Sequence, residues 1–333
     1  MREPGFWWRP DAGFCSIALS PLAAVYAGIV GARLARPGVR SPIPVICVGN
    51  FTLGGSGKTP TCMLVARMLA NAGHKPAILS RGYGGEAAGP LTVDPLVHNA
   101  TQVGDEAMLL AHAALTIVSR DRVAGVRLAA KAGATVVVMD DGLQNPSLKK
   151  DFTLAVIDGR RGIGNGRVFP AGPLRARMLV QWTRTNALLV IGEEAASASL
   201  TTQAQEHGLP IFRGRLQPNG TAIAAMQGHK ILAFAGIGNP DKFFATLEAA
   251  GMTIPVRKRF PDHHVYSNEE AAALLLQAEH EGLDLVTTEK DLARMSGRPG
   301  LAALRIRARP LPVNLAMTDE TKFREAILAA ARR

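Results

Sequence analysis

The sequence predicts a doubly wound α/β fold, a mostly parallel sheet covered by helices on both faces, with a second, smaller α/β unit after it. Three observations carry this. Short runs that are apolar at every position, such as Val136-Val137-Val138-Met139, recur along the chain, as strands buried on both faces require. Stretches with helical spacing separate them, so strand and helix alternate regularly. After a polar, glycine-containing connector from Gln217 to Lys230 the alternation starts again.

The first element is an uncharged stretch of 21 residues between Asp11 and Arg33. Its length admits a signal peptide, a spanning helix or a helix lying in a membrane surface. Ser16, Ser20, Pro21, Ala23, Ala24, Ala27 and Gly31 dilute it, while the bulky residues fall near i, i+3, i+4 and i+7. That spacing favours an interfacial helix with one face of large side chains. Arg33, Arg36 and Arg40 follow, as expected beside anionic lipid. Residues 1–40 are therefore expected to form an N-terminal membrane-associating helix.

A Pro-rich joint leads into residues 41–218, the expected core domain. Its strands are predicted at Val45–Val48, Ala77–Ser80, Thr116–Ser119, Thr135–Met139, Thr153–Ile157, Leu188–Ile191 and Ile211–Phe212. Helices are predicted over Pro60–Ala72, Glu106–Ala114 and Arg122–Ala132. In the smaller unit, residues 226–312, Ile231–Ala235 and Leu283–Thr287 read as strands, Asp241–Ala250 as a helix and Leu304–Ile306 as a last short strand. Ser267 and Glu270 have capping-box spacing, which starts a helix over Asn268–Glu281. Residues 313–333 are expected to return to the core domain.

Composition narrows the class of partner. A formal charge of +11 suits nucleic acid, anionic lipid or a phosphorylated substrate. Aromatic residues are only 5%, and no helix-turn-helix or zinc-finger spacing is present, so a nucleic-acid partner is not expected. Nor is an obligate protein partner. The three cysteines, Cys15, Cys47 and Cys62, form neither a disulfide framework nor a zinc motif, and Cys47 lies in an apolar run that reads as core.

The chemistry-bearing signal is Gly54-Gly55-Ser56-Gly57-Lys58-Thr59, directly between a strand and a helix. Glycines let such a loop wrap a phosphate closely, and its amides point inward at the helix N-terminus. This is a P-loop, and the fold is expected to be P-loop NTPase-like. Residues Thr52, Leu53, Gly54, Gly55, Ser56, Gly57, Lys58 and Thr59 are the expected nucleotide contacts. Lys58 would bridge the β- and γ-phosphates of ATP, and the Thr59 hydroxyl would bind Mg²⁺. Thr52 stands where the strict pattern has glycine. A nucleotide site of this kind works in the cytosol, which counts against a cleaved signal. The strand Val136–Met139 ends in Asp140-Asp141-Gly142, carboxylates suited to the same Mg²⁺. Asp105, in Gly104-Asp105-Glu106, fits both a helix N-cap and a general base. Arg81, Arg120 and Arg122 each follow a strand end, where any could hold a phosphate or simply face solvent. Asp262-His263-His264 has no third ligand spaced to make a metal site.

Together these motifs resemble the tetraacyldisaccharide 4'-kinase family. The matching stretches are Gly49-Asn50-Phe51-Thr52 running into the glycine loop, Ser80-Arg81-Gly82-Tyr83-Gly84-Gly85 and Val103-Gly104-Asp105-Glu106. Asp140-Asp141-Gly142-Leu143-Gln144 follows, then Gly164-Asn165-Gly166 with Pro170-Ala171-Gly172-Pro173-Leu174-Arg175. Phe260-Pro261-Asp262-His263 and Thr287-Thr288-Glu289-Lys290-Asp291 complete the series. The resemblance implies transfer of the ATP γ-phosphate to the 4'-hydroxyl of an anionic, tetraacylated glucosamine disaccharide 1-phosphate, at the cytoplasmic face of the inner membrane. It implies Asp105 as base, paired with His263 across the two domains, with Lys58 catalytic and Arg81, Tyr83, Gln144 and Arg175 on the acceptor. Thr52 agrees with the family, whereas Ala176 stands where an acidic residue is expected. Two other readings fit the P-loop: an enzyme acting on a soluble small molecule, and a nucleotide switch or nucleic-acid ATPase.

Overall fold

The computed structural model describes residues 3–9 and 13–332. Two helices open the main body, α1 (Phe14–Ala18) and α2 (Ser20–Leu34). Residues 10–12, where the uncharged stretch begins, lie outside the described residues. In α2 the inward face is made by Ala23, Ala27, Val30 and Leu34, while Leu22, Val25 and Ile29 face out. No described helix is long and apolar enough to cross a membrane.

The chain then alternates: β1 (Val45–Gly49), α3 (Lys58–Asn71), β2 (Pro76–Ser80), β3 (Leu91–Thr92), α4 (Ala100–Val103), α5 (Asp105–Ala111), β4 (Leu115–Val118), α6 (Arg122–Lys131), β5 (Val136–Asp140) and β6 (Phe152–Asp158). It continues with α7 (Met178–Trp182), β7 (Ala187–Ile191), α8 (Ala198–Glu206) and β8 (Ile211–Pro218). A second series follows: α9 (Gly220–Ala224), β9 (Lys230–Ala235), α10 (Pro240–Ala249), β10 (Thr253–Arg259), α11 (Asn268–Glu281), β11 (Asp284–Thr288) and α12 (Glu289–Arg294). The chain ends in α13 (Ala302–Arg307), β12 (Arg309–Leu311), β13 (Val313–Met317) and α14 (Glu320–Ala331).

Two sheets result. The larger has nine strands in the order β13-β8-β7-β6-β1-β5-β2-β4-β3, parallel except for its two edge strands. The smaller has four parallel strands in the order β10-β9-β11-β12. The period-2 alternation of strands sends Ile46 and Val48 to one face of the large sheet and Val45 and Cys47 to the other. The first face is covered by α3 and by α14, through Phe323 and Ile327; the second packs against α6 through Val126 and Ala129. Both faces of β1 are thus dry, which explains its uninterrupted apolar run. The last segment re-enters the large sheet, where β13 pairs antiparallel with β8. The predicted capping box is present: Ser267 Oγ accepts from the Glu270 amide and the Glu270 carboxylate accepts from the Ser267 amide.

Two expectations are corrected. Leu304–Ile306 is not a strand but lies inside α13, because the single alternation Leu304-Arg305-Ile306 is too short to separate a strand period from a helical one. The stretch from Gln217 to Lys230 is not all connector: it holds the end of β8 and the helix α9, capped by the Asn219 side chain. Strand β10 went unforeseen because Arg257, Lys258 and Arg259 make it polar, and it can be polar because it is an edge.

Candidate active site

Strand β1 feeds the glycine loop, and α3 begins at Lys58 directly after it. Gly57 has φ +89°, and a Cβ there would sit 2.6 Å from Ile191 Cδ1, so the loop needs glycine at this turn. The loop is braced from outside. The Leu53 amide donates to the Pro173 carbonyl at 2.8 Å, and Arg175 Nε donates to the Thr52 carbonyl at 2.8 Å. Thr52 forms an antiparallel bridge with Leu174. It is an extended residue held by a neighbouring segment, so a side chain fits where the general pattern has glycine. Gln144 Nε2 donates to the Asn50 carbonyl at 2.8 Å and to Gln181 Oε1 at 2.9 Å. Around this frame three buried polar atoms have no protein partner: Ser56 Oγ, Asn50 Oδ1 and Gln144 Oε1. Buried polar groups left so call for a polar ligand or water.

β5 lies beside β1 with Val48 opposite Asp140, so both strands deliver their carboxyl ends to one crevice. Lys58 Nζ lies 3.7 Å from Asp141 Oδ1. Arg175 Nη1 donates to both Asp141 oxygens, at 3.0 and 2.9 Å. Burial works against ionisation of Asp141, but the charges of Lys58 and Arg175 hold its carboxyl below the usual range. Asp140 is the opposite case. Burial, with the Glu106 and Asp141 carboxylates nearby, pushes its carboxyl up to about 7. Ser80 Oγ donates to it at 3.3 Å. Asp140 at the end of β5, Asp141 directly after it and the Thr59 hydroxyl at the start of α3 are oxygen donors of the kind a hard divalent cation takes. Among the described residues no group of three or more His, Cys, Asp or Glu could hold a metal ion by itself. Arg122 is not available to a ligand phosphate: it is buried and donates to the Ser119 and Asp140 carbonyls.

The other side of the crevice is built by glycines. A Cβ on Gly104 would fall 2.5 Å from the Tyr83 carbonyl, and one on Gly85 would fall 2.6 Å from the Gly104 amide. Only this close backbone approach lets the 80–85 loop pack on the start of α5, which accounts for both glycine motifs at once. Asp105 is not the N-cap of α5; Gly104 is. Instead the Asp105 carboxylate is buried and faces the smaller sheet's unit. His263 Nδ1 lies 3.4 Å from its Oδ2, and Arg294 donates to the same oxygen from Nε at 2.7 Å while its Nη2 makes an ion contact with it at 2.6 Å. The Glu106 amide donates to Oδ1 at 2.9 Å. Although burial opposes it, the hydrogen bond from His263 and the charges of Arg294 and Lys290 hold the Asp105 carboxyl well below its usual value. The same hydrogen bond raises the His263 imidazole above its ordinary value. His264 turns away, to Glu270 at 2.8 Å, as adjacent side chains must when their directions diverge.

The expected acceptor contacts divide. Arg81 and Tyr83 are exposed at the rim, with the Tyr83 ring 5.8 Å from that of His263. Gln144 and Arg175 lie beneath the loop, where Arg175 supports Thr52 and Asp141. Ala176 is buried against Val30 and Leu34 of α2, a setting in which a carboxylate would be desolvated without a partner. Arg294 escaped the sequence reading. Its signal was its place three residues after Asp291, with which it pairs at 3.0 Å.

A profile of the Tetraacyldisaccharide-1-P 4'-kinase family matches residues 15–332. A relative from Methylobacterium nodulans bearing the name tetraacyldisaccharide 4'-kinase is 52% identical over 319 residues, covering 96% of this chain and 93% of its own. One of the same name from a Bradyrhizobium species is 50% identical over 335 residues, covering 100% and 97%. Among solved structures, an LpxK from Aquifex aeolicus, an "apo" form in complex with ATP, aligns with a TM-score of 0.78 at 26% identity over 95% of this chain and 99% of that one. With residues 15–332 of the profile and half of all positions shared with such relatives, the chain belongs to the tetraacyldisaccharide-1-P 4'-kinase family.

Proposed function

We propose that the chain transfers the γ-phosphate of ATP to the 4'-hydroxyl of a tetraacylated glucosamine disaccharide 1-phosphate, a step of lipid A biosynthesis. The observation that carries this is the meeting of two half-sites: a phosphate cradle with Lys58 and Asp141 in ion contact, and Asp105 facing His263 from the second unit. Residues 52–59 wrap the triphosphate, and Lys58 neutralises charge as it builds on the transferring group. Thr59 with Asp140 or Asp141 would hold Mg²⁺, which would supply further positive charge at the phosphates. Asp105 takes the proton of the attacking hydroxyl; the new O–P bond forms as the bond from the γ-phosphorus to the bridging oxygen breaks, leaving ADP. His263 orients Asp105. Arg81 and Tyr83 at the rim meet the acceptor, and Arg175 and Gln144 hold the loop in shape.

Residues 41–218 and 313–333 form one domain in this reading and residues 226–312 the other, so the base and its partner come from different domains. The outward face of α1 and α2, with Phe14, Ile17, Leu22, Val25 and Ile29 exposed, rests on the cytoplasmic face of the inner membrane as a peripheral contact, where the acylated acceptor resides. Arg33 ties this helix to the site by donating to the Gln144 carbonyl at 3.0 Å. The test is phosphorylation of the detergent-dispersed disaccharide 1-phosphate with ATP and Mg²⁺, locating the new phosphate. ATP hydrolysis indifferent to the acceptor, or phosphate placed elsewhere on the sugar, defeats the reading.

A further inference from the structure

We propose that Arg294 is a positioning residue for this reaction, a guanidinium that reaches across from the smaller unit to fix the Asp105 carboxylate in one orientation and keep it ionised. The inference rests on the reading of Asp105 as the base.

Arg294 lies at the end of α12, which packs against α5. Its three nitrogens are all used. Nε and Nη2 hold Asp105 Oδ2, Nη1 holds Asp291 Oδ1 at 3.0 Å and the Gly236 carbonyl at 2.5 Å, and Nη2 lies 3.4 Å from His263 Nδ1. Asp291 in turn cannot move. It is fully buried, and it accepts from the Gly236 amide at 3.0 Å, the Tyr266 hydroxyl at 3.0 Å and the Thr288 hydroxyl at 2.6 Å. The guanidinium is therefore preset by the smaller unit before Asp105 meets it. Only a planar fork can serve these acceptors together; a lysine offers one point charge.

A buried Asp–Arg–Asp row is a poor way to gain stability, since desolvation offsets much of its attraction. It is a good way to control a base. Asp105 sits beside Glu106, and an incoming triphosphate and a phosphorylated acceptor add negative charge, all of which favour protonation of the carboxyl. Lys290 is already spent on Glu106, at 2.7 Å. Arg294 is the cation in direct contact that offsets this while His263 stays free to adjust its proton. The carboxylate's second oxygen is held by the Glu106 amide, so its plane is set as well.

Arg294→Gln and Arg294→Lys, assayed on the full chain across pH with ATP, Mg²⁺ and the acceptor, test this. The groups facing Asp105 are His263, Arg294, Lys290 and Glu106, and those facing His263 include Asp262. Removing the Arg294 charge raises the pKa of both Asp105 and His263. The ascending limb of kcat against pH therefore moves to higher pH in Arg294→Gln. kcat at its plateau falls about 10- to 100-fold, part of what a positioned base contributes, and KM for ATP stays unchanged. Arg294→Lys keeps the limb where it was and recovers part of the rate. A loss of rate with an unmoved limb, or wild-type rate in either variant, overturns the proposal. If Arg294→Gln does not fold, Arg294→Lys decides: the same kcat as wild type shows that the fork is not needed. Asp105→Asn keeps the two failures apart, because full activity in that variant sinks the base assignment itself, whereas a dead Asp105→Asn with a normal Arg294→Gln sinks only the role of the arginine.

Discussion

Replacing Leu22, Val25 and Ile29 together by serine probes the proposed membrane contact directly. These side chains are 61%, 63% and 65% exposed, on the face of α2 opposite Ala23, Ala27, Val30 and Leu34. Complete burial of such a side chain is worth about 1.5–3 kcal/mol. Roughly two thirds of that is outstanding at each site, so entry of all three into the acyl boundary contributes about 3–6 kcal/mol. At about 1.4 kcal/mol per factor of ten, the triple variant should bind vesicles at least about 100-fold more weakly. The assay is co-sedimentation with vesicles containing anionic lipid, with KM for ATP as a control for folding. The inner face of the helix is untouched, so ATP binding and unfolding should stay as they are. Undiminished sedimentation would refute the reasoning, because it would show that this exposed stripe does not carry the contact.

Other outcomes follow from the site. Lys58→Ala should abolish nearly all phosphoryl transfer in a steady-state assay, since it removes the charge nearest the transferring group and leaves Asp141 to Arg175 alone. Arg175→Ala releases the Thr52 carbonyl and Asp141 together and should raise KM for ATP about tenfold, the worth of one charged hydrogen bond; Arg175→Lys should fall between. In thiol labelling near pH 8, Cys15 should react in the native protein, while Cys47, pushed up to about 11 by burial, and Cys62 should react only on unfolding. Phe323→Ala empties a fully buried position between α14 and the large sheet and should cost about 3–5 kcal/mol in denaturant unfolding.

The parts of the fold that could be read in the sequence are those whose cause is local. β1, β2, β5, β6 and β7 are apolar at most positions because both their faces are covered, with polar residues such as Ser80, Asp140 and Asp158 at their carboxyl ends, and the loop at 54–59 follows from glycines between a strand and a helix. The capping box of α11 is likewise contained in four residues. Elements set by their neighbours were illegible. β10 is a strand because β9 pairs with it, not because Thr253–Arg259 looks like one, and α13 takes helical form in a run too short to show a period.

The same division holds at the site. The sequence alone pointed to the glycine loop at 54–59 and to Asp140, Asp141 and Asp105 as candidate carboxylates, because loop chemistry and residue type announce themselves within a few positions, while the role of Asp105 as base was implied only by the family resemblance. Tertiary structure alone decided that Arg294 closes on Asp105 across 189 positions of chain, that Arg122 is spent on carbonyls, and that Arg175 supports the loop from below. Such contacts arise where one sheet's helices dock against another's, and the free energy that selects them lies in burial and charge pairing between distant segments, which no local pattern records.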